Sequence, residues 1–436
     1  MSEQIRRVTG MNDVLPESIG AWQHVELVMR ELLAAYGYQE FRTPVVEHTE
    51  LFKRSIGEFT DIVEKEMYSF VDQGGDKLTL RPEATAGMVR ALISNGMLRG
   101  ARHKVYCIGP MFRHEKNQEG RYREFHQLDV EAFGFGGPDV DAELMAFGAR
   151  LWRRLGIERV RLEINSLGTP EARRAYRERL VAYFKSHESR LDADSRRRLA
   201  GNPLRILDSK NPEMQAIVAG APHLTEHLDE ESRAHFADLQ ATLDTLGVGY
   251  TVNPRLVRGL DYYSRTVFEW TTDALGSQNA LCAGGRYDGL IAQLGGEPTP
   301  AIGFALGIER VVLLLERLGN SPATSCPDVY VVTQGVRAER EALVLAERLR
   351  DALPGRAVLV NLGGGNLKAQ FRRADRSGAL LALVLGDDEL ARGVVALKPL
   401  RAAVDQSDCP IAGVAAGVDA ALARLTRGGP GRTATV

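Results

Sequence analysis

The chain is poor in cysteine, and the four it has (Cys107, Cys282, Cys326 and Cys409) lie far apart with no Cys-x-x-Cys pair. That spacing excludes a zinc ribbon and a disulfide framework, and a reducing cytoplasm is the expected setting. Apolar runs are short: none approaches the ~20 residues needed to span a bilayer. The opening MSEQIRRVTGMNDVLP lacks the apolar core of a signal peptide. A soluble, cytoplasmic protein without membrane contact is therefore expected. A net charge of −2 leaves no general basic excess, so nucleic acid would have to meet a local patch. Several motifs are also missing. No GxxxxGK[ST] run occurs, which excludes a P-loop; GGGN at 363–366 is not a GxGxxG turn, and there is no HExxH. His223 and His227 have i, i+4 spacing but no third ligand, so a solvated pair is expected rather than a metal site.

What is present is 436 residues of ordinary globular composition, 44% hydrophobic and 26% charged, enough for two or three domains. AWQHVELVMRELLAAYG has apolar residues at helical spacing, and YQEFRTPVVE turns extended, with Pro44 marking an edge or an interface. KLTLRPEATAGMVRALISNG reads as strand, turn and helix, with Thr85 near the helix start. HKVYCIGPMFRHE and REFHQLDVEAFGF, joined by polar KNQEGRY, give a hairpin pattern that implies antiparallel pairing. From about 169 to 250 the segments are helical and charged, as in an inserted helical domain. Strand character returns at RGLDYY and runs through ALCAGGRYDGLIAQLGG, while AIGFALGIERVVLLLERLG reads as a strongly apolar helix. SPATSCP at 321–327 is a linker. Beyond it, DVYVVTQG, AVLVNLGG and LLALVLGDDEL alternate with helical segments, which argues for a separate small α/β domain. GGPGRTATV reads as a disordered tail.

Within REFHQLDVE, period two places Arg123, Phe125, Gln127, Asp129 and Glu131 on one face, and His126, Leu128, Val130 and Ala132 on the other. Facing solvent, the polar row would be an unremarkable surface. Covered, it would need ligands or partners, because buried charge must be paired. Arg113 and Glu115 share a face on the neighbouring strand. Arg113, Arg121, Arg123, Arg258 and Arg310 are fixed cationic forks suited to phosphate oxygens, although surface ion pairing accounts for most arginines in any protein. Arg196-Arg197-Arg198 fits a solvated face or, less directly, a phosphate-backbone track. RGLDYYSRTVFEW, residues 258–270, taken alone is a polar loop entering a sheet.

Taken together these pieces resemble the class II aminoacyl-tRNA synthetases, and within them the histidyl-tRNA synthetase family. GPMFRHEKNQEGRYREFHQ resembles the second signature of the class, AIGFALGIERVVLLL the third, and YQEFRTPVVEHTELF the first, which builds the dimer interface around a proline. RGLDYY and GGRYDGL resemble the two stretches particular to the histidine enzymes, and LRPEAT and PLRILDSK fit the same family. The match spans residues 6 to about 425. Lys116-Asn117 departs from the usual Arg-Pro in the loop that meets the tRNA acceptor end, Ala84 replaces a common glycine, and Ala305 fills a position often glycine.

The resemblance implies an α+β catalytic domain with an antiparallel sheet flanked by helices, in two parts at 1–168 and 251–320. It implies a helical insertion at 169–250 and a C-terminal α/β anticodon-binding domain at 326–427. It implies activation of L-histidine by ATP, with Mg2+, to histidyl-adenylate, then transfer to tRNA(His), by a homodimer. Arg113 and Arg258 would flank the α-phosphate as the catalytic pair. Tyr263, with Tyr262 beside it, and Glu131 would take the two imidazole nitrogens, while Glu83, Thr85 and Gln127 hold the α-amino group. Phe125 would stack under adenine, with Arg121 and Arg310 on the outer phosphates or the base and Glu115 also at the ATP site. Imidazole offers one donor and one acceptor, so a tyrosine hydroxyl and a carboxylate can satisfy both. The substrate carboxylate attacks phosphorus itself, which agrees with the lack of a nucleophile triad. The competing reading is an inactive paralogue serving as regulatory subunit of ATP phosphoribosyltransferase. Such paralogues usually lack the C-terminal domain and let RGLDYY decay; both are present here. A general RNA-binding module would leave the imidazole-matching groups unexplained.

Overall fold

The computed structural model describes the chain except for residues 1–3, 58–59, 202, 208, 210, 259, 261, 277–278, 323–325 and 428–436. The tail expected to be disordered, GGPGRTATV, lies outside the described residues. The chain divides into two units, Met1–Pro322 and Ala323–Val436.

The strands of the first unit are β1 (Gln39–Glu40), β2 (Val46–His48), β3 (Tyr68–Val71), β4 (Lys77–Leu80), β5 (His103–Phe112), β6 (Glu124–Phe133) and β7 (Arg161–Ser166). They continue with β8 (Tyr250–Val252), β9 (Ser264–Thr271), β10 (Ala280–Arg286) and β11 (Ala301–Gly307). The main sheet has the order β1-β5-β6-β11-β10-β9-β7-β8, and β2-β4-β3 form a small second sheet. From β5 to β7 every neighbouring pair is antiparallel, the expected hairpin β5–β6 included; only the short outer strands β1 and β8 pair in parallel.

The helices are α1 (Ile19–Ala35), α2 (Thr49–Ile56), α3 (Thr85–Ser94), α4 (Pro138–Arg154) and α5 (Pro170–Ser186). Then come α6 (Ala193–Ala200), α7 (Gln215–Ala219), α8 (Glu230–Leu246), α9 (Leu290–Gln293) and α10 (Ile308–Leu318). Residues 301–307 correct the sequence reading, which took them as the start of the apolar helix; they form β11, and the helix begins at Ile308. A short apolar run has no periodicity that separates strand from helix. Packing does separate them here: Gly303 pairs with Glu131, whose carboxylate occupies the space a side chain would need.

One face of the main sheet is buried. Leu128, Val130 and Ala132 of β6 pack with Trp22 of α1, Phe147 and Trp152 of α4, and Val311 and Leu315 of α10. Phe236, Leu239 and Leu243 of α8 enter the same core, so the end of the helical run is part of the packing around the sheet. α8 starts at an aspartate cap, with Asp229 Oδ1 accepting from Ser232 N at 2.8 Å. Tyr176, Leu180 and Phe184 of α5 instead join a second core with Met88 and Leu92 of α3, together with Tyr262 and Tyr263.

The second unit carries β12 (Val329–Gln334), β13 (Val358–Val360), β14 (Leu381–Gly386), β15 (Val394–Pro399) and β16 (Ser407–Pro410), in the order β13-β12-β14-β15-β16. The three strands read from sequence are parallel, joined through α11 (Val336–Ala352) and α12 (Leu367–Arg376). β15 and β16 add antiparallel pairs that the pattern did not reveal. The α+β unit with its central antiparallel sheet and the C-terminal α/β unit agree with the expected fold class. Among the described residues no helix is long and apolar enough to cross a membrane.

Candidate active site

The face of β6 opposite the buried core opens onto a cavity of about 240 Å³. Phe125, Gln127, Asp129 and Glu131 all line it, which settles the ambiguity of the polar row: it is covered by the rest of the unit. The space comes from β11, where Gly303 and Ala305 stand opposite Glu131 and Asp129. Arg123, expected on the same face, precedes β6; its side chain runs beside Gly10 and lies outside the cavity lining.

Four arginines line this cavity: Arg113, Arg121, Arg258 and Arg310. Arg113 follows β5, donates from Nε to the Pro82 carbonyl at 2.8 Å, and lies over the Phe125 ring at 5.2 Å. Buried Glu115 is ion-paired with Arg121 and lies 3.8 Å from the Arg113 guanidinium. Arg258 donates to Glu269 Oε2 at 2.9 Å, while its buried Nε has no hydrogen-bond partner among the described residues. Arg310, in the first turn of α10, donates to the carbonyls of Gly120 at 3.0 Å and Ala280 at 2.7 Å. It thereby ties the loop after β5 to the start of β10. Its neighbour Glu309 accepts from the His126 backbone N–H at 2.8 Å, which fixes the start of α10 to β6. Burial depresses the pKa of Arg113 and of Arg310; an anion between them would oppose that effect.

The rest of the polar lining is hydroxylic and acidic. Glu83 accepts from Ala86 N at 2.9 Å at the start of α3. Thr85 Oγ1 donates to Glu131 Oε1 at 2.6 Å, and the Tyr287 hydroxyl donates to Glu131 Oε2. Tyr262 and Tyr263 stand 4.7 Å apart between ring centroids, and Tyr262 meets the Tyr287 ring at 5.5 Å. Burial raises the Glu131 pKa well above the usual carboxylate range and raises that of Glu83, while Asp129 is pushed up to about 8. Burial likewise pushes Tyr263 up to about 12, so its hydroxyl keeps its proton at neutral pH.

All the residues to which the resemblance gave a role line this one cavity, although they come from stretches up to 227 positions apart, Glu83 to Arg310. The structure adds Tyr287, Asp129 and Glu269. Tyr287 lies in the quoted GGRYDGL stretch, and Asp129 in the alternating row, so both had a signal. Glu269, inside a strand, had none. Just before Tyr287, Arg286 enters a separate cluster, fully buried. It pairs with Asp141 at 2.7 Å, and Asp141 is also 2.8 Å from His235 Nε2. His227 lies beside Arg179 at 3.1 Å, and among the described residues no three His, Cys, Asp or Glu side chains are grouped to hold a metal ion.

A guanidinium cluster facing a hydroxylic, acidic pocket suits a phosphate anion beside a small polar group. Comparison with known proteins agrees. A family model described as histidyl-tRNA synthetase matches residues 10–311, and one described as an anticodon binding domain matches 328–420. A solved apo histidyl-tRNA synthetase from S. aureus is 36% identical with a TM-score of 0.81, covering 95% of this chain and all of that one. A histidyl-tRNA synthetase structure from Nostoc sp. shares 19% identity with a TM-score of 0.69, over 96% of this chain and 100% of that chain. A Bacillus halodurans structure, titled as an ATP phosphoribosyltransferase regulatory subunit/histidyl-tRNA synthetase, shares 23% identity with a TM-score of 0.62, over 86% and 97%.

Proposed function

The chain belongs to the histidyl-tRNA synthetase family, and from that premise we propose that its cavity holds L-histidine beside Glu131 and ATP beside the arginines. The activity is that of a histidine–tRNA ligase. A histidine carboxylate oxygen bonds to the α-phosphorus of ATP, the bond to the β-phosphate oxygen breaks, and pyrophosphate leaves. A terminal tRNA hydroxyl then attacks the carbonyl carbon of the adenylate, and AMP departs.

In this proposal Arg113 and Arg258 approach the α-phosphate from two sides, where charge grows in the transition state. The Nε–H of Arg258, without a partner among the described residues, supplies a donor for a phosphate oxygen. Phe125 supports the adenine, and Arg121, Arg310 and Glu115 position the outer phosphates and the base. Glu131, held by Thr85 and Tyr287, presents a carboxyl group to one imidazole nitrogen, and Tyr263 with Tyr262 serves the other. Glu83 and Gln127 receive the α-ammonium. Thr85, whose hydroxyl proton goes to Glu131, accepts from the same ammonium with its hydroxyl oxygen. Magnesium has no protein cage here: Glu115 and Glu269 are ion-paired to arginines, and no group of three such ligands exists among the described residues. The metal would enter on the phosphates, with water completing its shell.

We assign to residues 169–250 contact with the acceptor arm, to 1–168 and 251–320 the catalysis, and to 326–427 reading of the anticodon. We also assign a homodimer, supported by exposed Val46, Phe70 and Val71 on the β2–β4–β3 sheet. The regulatory-paralogue reading is not favoured, because the anticodon-domain match is kept and Arg258 and Tyr263 line the cavity. The observation that carries the reading is the convergence of Arg113 and Arg258 on the cavity that also contains the Thr85–Glu131–Tyr287 group. ATP–pyrophosphate exchange measured with each amino acid in turn tests it: histidine alone should support exchange. Deletion from residue 326 onward should reduce tRNA charging far more than exchange; equal losses would undo the domain assignment.

A further inference from the structure

Asp129 lines the cavity between Gln127 and Glu131 on β6, yet the reaction as described gives it no part. Asp129 is 1% exposed, and among the described residues Oδ2 has no hydrogen-bond partner. A buried carboxylate oxygen without a donor is costly, and an incoming ligand is one way to satisfy it. The register explains why the protein supplies none: Asp129 pairs with Cys107 on β5 and Ala305 on β11, neither of which offers a strong donor. Arg81 and Arg113 act on it through space, but Arg81 donates to the Pro110 and Thr43 carbonyls and Arg113 to that of Pro82. Gln127 Oε1, on the same strand face, is likewise buried and unpartnered. Glu83 lies near enough to act on Asp129 electrostatically.

We propose that Asp129 binds the substrate's α-ammonium directly, its Oδ2 acting with Gln127 Oε1 and the Glu83 carboxylate as three acceptors for three N–H donors. This rests on the reading of the cavity as the histidine site. An ammonium carries one charge and three donors, and this set offers acceptors of matching number with acidic groups among them. An imidazole compound lacking the amino group leaves these acceptors buried and unpaired. Asp129 is therefore also a specificity determinant against des-amino analogues.

Asp129→Asn keeps the shape and removes the carboxyl group that an arriving ammonium would bind in its ionised form. In histidine-dependent ATP–pyrophosphate exchange it should raise the KM for L-histidine roughly 10- to 100-fold. The KM for ATP should stay within about twofold. Two competitive inhibitors give the discriminating result. L-Histidinol carries the ammonium and should lose affinity in the variant by a similar factor. 3-(Imidazol-4-yl)propionate lacks it and should bind unchanged or more tightly. Equal weakening of both inhibitors, or of neither, overturns the proposal. If Asp129→Asn does not fold, Asp129→Ser is read in the same way. A wild-type protein without histidine-dependent exchange would instead overturn the substrate assignment itself.

Discussion

At the end of β10, two consecutive residues enter buried polar clusters of different kinds. Arg286 joins Asp141 and His235, where cation and imidazole both meet the one carboxylate and Arg286 also donates to the Phe135 carbonyl at 3.0 Å. Tyr287 joins the cavity, where Gln127 Oε1, Asp129 Oδ2 and Arg258 Nε lack partners among the described residues. Both groups are removed from water, but in the first the Arg286 guanidinium already meets both oxygens of Asp141. A closed cluster holds one arrangement of the chain. An open one leaves its polar groups for something that arrives.

The sharpest test of that difference is Arg286→Met, which leaves Asp141 buried without its cation. It should lower unfolding free energy by about 3–5 kcal/mol in denaturant titration. A loss below about 1 kcal/mol would place the two clusters in the same class. Arg258→His removes a group from the open cluster. It should lower kcat for histidine-dependent exchange by about 10²–10³-fold, with a thermal midpoint within about 3 °C of wild type. Near-normal exchange would count decisively against the assigned role. Tyr287→Phe withdraws one donor from Glu131 and should raise the KM for histidine about tenfold, read from the same assay.

The smallest expected effect concerns pH. Asp129 has a folded pKa of about 8, above its ordinary 3.8, so the fold favours its protonated form. Relative to an untitrating side chain, its contribution to stability is full below the ordinary value and falls as pH rises towards the folded one. Ligand-free Asp129→Asn should therefore gain a few °C in thermal midpoint over wild type between about pH 5 and about pH 9. An unchanged difference across that range would show that the carboxyl does not titrate in the fold.

Much of the catalytic face was legible because a strand has period two. The row from Phe125 to Glu131 follows from the alternation of β6 alone. Thr85 was placed at a helix start, and α3 does begin there. AIGFALG misled, because its apolar run had no period and the deciding contact, Gly303 against Glu131, crosses between strands. β15 and β16 were missed although β15 is as long as β12 and β14, because no helical segment separates β15 from β16 to continue the α/β alternation. The family resemblance gave site residues their expected roles, but no pattern indicated that Thr85 would hold Glu131, or that Glu269 would pair with Arg258.

Side-chain alternation, apolar spacing and the placing of turns are properties of short stretches, and residue order determined them: the β5–β6 hairpin, the α3 start and the α/β alternation of the second unit. Which groups would share a cavity, and which would be left there without a partner, was decided only when β11 supplied Gly303 and Ala305 opposite Glu131 and Asp129 and distant arginines closed around the opening. The physical reason is range. Local geometry is set over a few residues, whereas desolvation and the pairing of charge depend on every neighbour that packing brings close.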